Sequence, residues 1–150
     1  MVQSPLCLPG KVLLVFKNNK VEKILLFPHP PFPLAKLLEI PKNPLEKNFY
    51  LQIKNYFKKK RKFLDFPVII KGSEFEKMVW EEVRKIPYGS TKTYGELAQK
   101  LGSSPRTIAQ ALKRNPLPIY IPCHRVVAKN GLGGFSAGIA WKTFLLNLEK

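Results

Sequence analysis

The chain is poor in the residues that make disulfides, metal centres and membrane spans. Two cysteines, Cys7 and Cys123, cannot form a disulfide framework, and a reducing compartment leaves both as thiols. Cys123 and His124 are sequence neighbours that point to opposite faces of an extended chain, and Cys7 and His29 supply only two possible ligands where structural zinc wants four. No metal is expected, and Cys7 reads as a small buried hydrophobe. No apolar run approaches the roughly 20 residues of a spanning helix, and the opening MVQSPLCLPG has no basic segment followed by a long apolar stretch. The expectation is a soluble, unexported, cytoplasmic protein with no membrane partner. Acidic residues are scarce too: 10 Asp and Glu stand against 26 Lys and Arg, a formal charge of +16 on 150 residues. Such an excess attracts polyanions and costs stability by self-repulsion unless a partner neutralises it, so nucleic acid is the first partner to consider.

What is present divides the chain into two units. With 45% hydrophobic residues there is enough apolar material for one or two small cores. Both halves are basic; the densest run, Lys58 to Lys62, can be read as a nuclear-import or DNA patch, but it follows a helical pattern whose C-terminal dipole favours cations, so a solvated helix end is the preferred reading. In the front half, Val12 to Phe16 and Val21 to Phe27 are β-rich runs around an Asn18-Asn19 turn. His29 to Pro33 breaks the chain. Asn43 as N-cap, Pro44 as first helical residue and Glu46 open a helix to about Phe57. Phe66 to Ile70 reads as a strand, and Lys71-Gly72 as the boundary between units 1–70 and 71–150.

The back half is richer in signals. Ser73 and Glu76 have capping-box spacing, and Phe75, Val79 and Val83 recur at helical intervals before Pro87, with Met78 and Trp80 expected to pack. Thr93 and Glu96 repeat the capping box before Leu97, Ala98 and Leu101. Gly102-Ser103-Ser104 then turns the chain, and Pro105 opens a third helix to about Arg114. Two short helices across a glycine turn have the form of a helix-turn-helix. In the second of them Ile108, Ala111 and Leu112 can face a core, while Arg106, Ala109, Gln110 and Lys113 can face a duplex. The motif also occurs as a purely structural piece.

Directly after that helix, Asn115-Pro116-Leu117-Pro118 leads to IPCHRVV, residues 121–127. The prolines stiffen the connection and fix where Cys123 stands. A buried free cysteine is ordinarily inert, so adjacency to His124 alone leaves both readings open. Pro122-Cys123-His124-Arg125-Val126 resembles the active-site signature of O6-alkylguanine-DNA alkyltransferases, also called methylated-DNA-protein-cysteine methyltransferases. The likeness extends over FEKMVWEEVRKIPYGSTKTYGELA (75–98), RTIAQALKRNPLPIYIPCHRVV (106–127) and GGFSAGIAWKTFLLNLEK (133–150), about the last half of the chain.

That resemblance implies a ribonuclease H-like α/β front domain and a winged-helix-like back domain, with no cofactor. It implies repair of O6-alkylguanine, and of O4-alkylthymine, in duplex DNA by transfer of the alkyl group to Cys123. The thioether product has no activated carbonyl for water to attack, so one monomeric chain repairs one base. By the same resemblance His124 is the base acting through a water, Glu149 orients the histidine, Asn115 is the hinge and Arg125 is a structural ion-pair partner. Arg106 enters the duplex in place of a flipped nucleotide, and Tyr94 crowds the target phosphate and helps neutral guanine leave. Gly95, Ser104 and Lys129 meet phosphates; backbone groups of Val126 and Ser136 read the base; Leu112, Pro118 and Phe135 shape its pocket. Phe135 stands where many members carry tyrosine, and Ala109-Gln110 replaces a commoner glycine pair. Two other functions compete: a non-catalytic alkylguanine-binding or regulatory DNA protein, whose examples have lost the cysteine, and a cysteine hydrolase, which requires turnover.

Overall fold

The computed structural model describes residues 6–150; residues 1–5, half of the MVQSPLCLPG start, lie outside the described residues. The front half is built on a hairpin of β2 (Val12–Lys17) and β3 (Lys20–Leu26), with a two-residue strand β1 (Cys7–Leu8) before it. Asn18 and Asn19 take φ values of 52° and 62°, the paired left-handed residues of a hairpin turn whose twist matches its strands. Alternation sends Val12 and Leu14, and Ile24 and Leu26, into the core, and a register shift between Val15 and Phe16 brings Val21 to the same side. β1 pairs with β4 (Phe32–Pro33), and because Leu8 points inward its neighbour Cys7 points outward. Cys7 is therefore exposed, not the buried hydrophobe its residue type suggests.

Helix α1 (Pro44–Phe57) starts where its cap predicts: the Asn43 side chain accepts from the Glu46 amide at 2.9 Å, an arrangement worth about 1 kcal/mol. Phe49, Tyr50, Ile53, Tyr56 and Phe57 form its buried stripe. The expected strand at Phe66 to Ile70 is reduced to a single bridge between Val21 and Val68. Pro67 offers no N–H, and further along β3 the Ile24 amide already donates to the Pro116 carbonyl at 2.9 Å, so no ladder extends.

In the back half both capping boxes are present, at the starts of α2 (Glu74–Arg84) and α3 (Tyr94–Leu101). Trp80 is buried and its indole donates to the Ala111 carbonyl at 2.9 Å, which fastens α2 to α4 (Pro105–Lys113). Met78 lies on the opposite face of α2 and is half exposed, so the expectation that it packs is wrong. Gly102 closes α3 at φ 63°, a left-handed turn that a side chain disfavours, and Ser104 caps α4 by accepting from Thr107. A short parallel pair, β5 (Lys92–Thr93) with β6 (Val126–Val127), and helix α5 (Ile139–Leu148) complete the fold. The mixed α/β front and helical back match the expected class. One apolar core runs through both halves. They are stitched by Ile24 to Pro116, by the Trp141 indole donating to the Phe27 carbonyl at 2.6 Å, and by Tyr56 donating to Glu149. Among the described residues no helix is long and apolar enough to cross a membrane.

Candidate active site

Cys123, His124 and Arg125 form one short 3-10 turn, not the extended chain in which neighbours diverge. The turn is held at its start by the Cys123 amide donating to Ile121 at 2.7 Å and by Asn115. The Asn115 side-chain amide donates to the Ile121 carbonyl at 2.9 Å while its oxygen accepts from Leu117 at 2.8 Å, so one residue fixes the whole loop between α4 and the cysteine. Inside that loop buried Ile119 sits at φ 76°. A β-branched residue there costs about 1–3 kcal/mol and persists only where its surroundings over-determine it.

Cys123 is buried but lines a cavity of about 280 Å³ together with Tyr94, Ala109, Leu112, Lys113, Gly134, Phe135 and Ser136. Burial pushes its thiol up to about 11; the Asn115 amide and the Lys142 charge offset part of that rise. A thiol so placed is inert until something removes its proton. His124 is the adjacent group that can. Its Nε2 lies 2.7 Å from Glu149 Oε2, and a carboxylate only accepts, so Nε2 carries the hydrogen and Nδ1 keeps a lone pair. Nδ1 is buried with no partner among the described residues, which leaves that lone pair free to take a proton. Burial lowers the His124 pKa, partly offset by Glu149, so the ring is neutral at neutral pH with its Nδ1 lone pair available.

Glu149, the residue that ends α5, is a hub. Arg125 meets both its oxygens, at 2.8 and 2.9 Å, and sends its third donor to the Ile86 carbonyl at 2.8 Å. Gly89 donates to Oε1 at 3.3 Å, and the Tyr56 hydroxyl of α1 donates to the same Oε2 that holds His124. Burial would raise the Glu149 carboxyl, but the hydrogen bonds from His124, Arg125 and Tyr56 hold it well below the usual carboxylate range.

The remaining expected residues fall into two groups. Tyr94, Leu112, Phe135 and Ser136 line the cavity with Cys123; Pro118 lines an adjoining groove of about 390 Å³ that shares Ser136. Val126, expected at the base, is buried and lines neither the cavity nor the groove, and its carbonyl accepts from Lys142 at 2.7 Å. Gly95, Ser104, Arg106 and Lys129 are exposed. Gln110 and Lys113 share the outward face of α4 with Arg106, and Ala109 is half buried at the cavity edge.

Two site residues escaped sequence reasoning. Tyr56 lies 93 residues from its partner Glu149, and no local pattern marks it. Lys142 has a fully buried side chain whose Nζ spans the carbonyls of Val126 and Gly134, at 2.7 and 3.0 Å, with the Tyr94 ring 5.7 Å away. A lysine between Trp141 and Leu145 on an apolar helix was the available signal. Burial lowers its pKa to about 8, and Cys123 opposes that fall. Gly133 completes the wall at φ 74°: a Cβ there would come within 2.7 Å of the Tyr94 ring.

The family model described as 6-O-methylguanine DNA methyltransferase, DNA binding domain, matches residues 74–150. A methylated-DNA–protein-cysteine methyltransferase of Methanocaldococcus vulcanius is 45% identical over 121 residues, covering 77% of this chain and 74% of the relative. The crystal structure of the O6-methylguanine-DNA methyltransferase of Pyrococcus kodakaraensis superposes with a TM-score of 0.64 at 32% identity, over 91% of this chain and 89% of that one. The Mycobacterium tuberculosis protein crystallised in complex with DNA gives 0.76 at 27% identity, over 93% and 86%.

Proposed function

The chain belongs to the O6-methylguanine DNA methyltransferases, and from that premise we propose that it repairs O6-alkylguanine in duplex DNA by moving the alkyl group onto Cys123. The observation that carries this is the thiol at the wall of a cavity beside α4, with a neutral histidine behind it whose Nδ1 is free. The Cys123 proton passes to His124 Nδ1, directly or through a water, and Glu149 stabilises the imidazolium that forms. The thiolate attacks the saturated carbon in line; the S–C bond forms as the C–O6 bond breaks. The electron pair stays on the guanine, which takes a proton with help from the Tyr94 hydroxyl. A thioether remains, stable in water, so each chain acts once.

The target base must leave the stack to reach this cavity. Arg106 fills its place, and Gly95, Ser104 and Lys129 hold phosphates on the same exposed side. Leu112, Pro118 and Phe135 pack the extruded base, which backbone groups of Val126 and Ser136 read. The chain works as a monomer in the cytoplasm, on non-specific duplex until a lesion is met, with units divided at residues 70 and 71. O4-alkylthymine is a second substrate of the same chemistry. A non-catalytic lesion binder has no use for a thiol lining the cavity.

Intact mass after incubation with an O6-methylguanine duplex tests the reading. One added methyl, mapped to Cys123 and absent in Cys123→Ala, is expected, with DNA binding by the variant retained. Several bases repaired per chain would overturn it.

A further inference from the structure

The front half lies outside the matched family domain, yet one of its side chains reaches the proton relay. Tyr56 sits on the buried face of α1, packed edge-on against Phe57 and Tyr88 with centroids 5.6 and 6.2 Å away. Among the described residues its hydroxyl has a single partner, Glu149 Oε2, the oxygen that also holds His124 Nε2. Taking the alkyl-transfer reading above as its basis, we propose that Tyr56 is a positioning residue through which the front half completes the active site, holding Glu149 and thereby setting the basicity of His124.

The chemistry follows from what each donor does to the shared carboxylate. Arg125 supplies charge and two bonds from the His124 side, and Gly89 supplies a weak one. Among the described residues of the front half, only Tyr56 bonds the Glu149 carboxylate. Burial and the Glu149 charge keep its hydroxyl protonated far into alkali, so it donates at every working pH. A donor on Oε2 withdraws charge from the oxygen facing His124. Without it Glu149 would favour the imidazolium more strongly, and His124 would become protonated at higher pH, when it can no longer take the Cys123 proton. The other groups facing the pair are Cys123 and Lys142 on the His124 side and Tyr88 beside Glu149. None of them bonds Oε2.

The chain has only two histidines, so imidazole resonances of His29 and His124 can be followed separately through a pH titration. Tyr56→Phe, made in a Cys7→Ser background, should raise the His124 midpoint by roughly half a pH unit or more. The acid limb of Cys123 alkylation by iodoacetamide should move upward with it. Tyr50→Phe is the control, because that hydroxyl accepts from Leu14 at 2.9 Å, away from the site, and its loss should lower stability without moving His124. Unchanged midpoints in both variants would overturn the proposal. If Tyr56→Phe does not fold, the Tyr56 Cζ resonance of the unaltered chain should titrate with the His124 midpoint; a resonance blind to it overturns the proposal equally. A shifted midpoint in a chain that transfers nothing from O6-benzylguanine would support the hold on Glu149 while sinking the transfer reading.

Discussion

Residues 6–70 and residues 71–150 share one apolar core and an excess of positive charge, but they spend their polar groups differently. In the front half, polar side chains that are buried serve the fold: Tyr50 caps an amide of the hairpin, and the lysines at the end of α1 stay exposed. In the back half Asn115, His124, Arg125, Lys142 and Glu149 are all buried; His124 and Arg125 meet on Glu149, while Asn115 and Lys142 tie down the backbone on either side of the cysteine turn. Burial of that kind is costly unless every charge is met, which makes the back half the part where single changes should be most damaging. Tyr56 is the exception that joins the two, a front-half hydroxyl enlisted by the back-half network.

The largest effect is expected at the hub. Glu149→Leu strands Arg125, buried with its main partner gone, and should cost about 3–5 kcal/mol as well as transfer activity. The folded carboxyl is held below its unfolded value, so its stabilisation is fully present above the unfolded carboxylate range and is lost as pH falls towards the folded value. Chemical denaturation across an acidic pH series should therefore show a steep limb in the parent chain and a flatter one in the variant. If the parent limb is already flat, the front and back halves do not differ in the way described.

Next comes Lys142, which has no carboxylate partner among the described residues and whose charge lies close to Cys123. Lys142→Met removes that charge and unpairs two carbonyls. The thiol, already up at about 11, should rise further, and each unit means about tenfold less thiolate at neutral pH. Benzylguanine transfer should fall by about that factor and recover at high pH, whereas a purely structural lysine would give a loss that alkali cannot rescue.

Why Tyr56 and Lys142 were hard to see in the sequence is physical. The helix starts and the hairpin are announced by residues within four positions of each other: Ser73 with Glu76, Thr93 with Glu96, Asn18 with Asn19. Such signals survive without knowledge of the fold. The family signature likewise lies in continuous stretches, and it brought Cys123, His124, Asn115 and Glu149 into view together. Tyr56 has no such neighbour; its meaning arises only when α1 packs beside the end of α5. Phe66 to Ile70 failed for the complementary reason, since β-rich composition cannot say whether an edge is free to receive a strand.

A smaller, selective effect is expected at Arg106, which is exposed on α4 and touches no residue of the hub. Arg106→Ala should leave reaction with free O6-benzylguanine nearly unchanged and slow duplex repair by about tenfold or more, because only the duplex requires extrusion. Parallel rates on the two substrates would separate these cases, and equal losses would put Arg106 in the fold instead of on the DNA.

The smallest effect should come from the densest charge in the molecule. Lys58, Lys59 and Lys60 follow α1 and are exposed, with no salt bridge among the described residues, while α4 lies in the other half with Arg106 and Lys113 outward. If the back half alone meets the duplex, replacing all three lysines with glutamine weakens the long-range field but removes no phosphate contact. Affinity for undamaged duplex should then drop by no more than about twofold at physiological salt, where charges beyond about 8 Å are screened. The log-log slope of affinity against salt should stay the same, since each phosphate neutralised contributes about −0.9. Lys113→Gln provides the contrast: a lysine at a phosphate should flatten the slope by nearly one unit. A slope that flattens by two or three units in the triple variant would show the front half gripping the backbone directly, and the division between a structural front and a DNA-reading back would have to be redrawn.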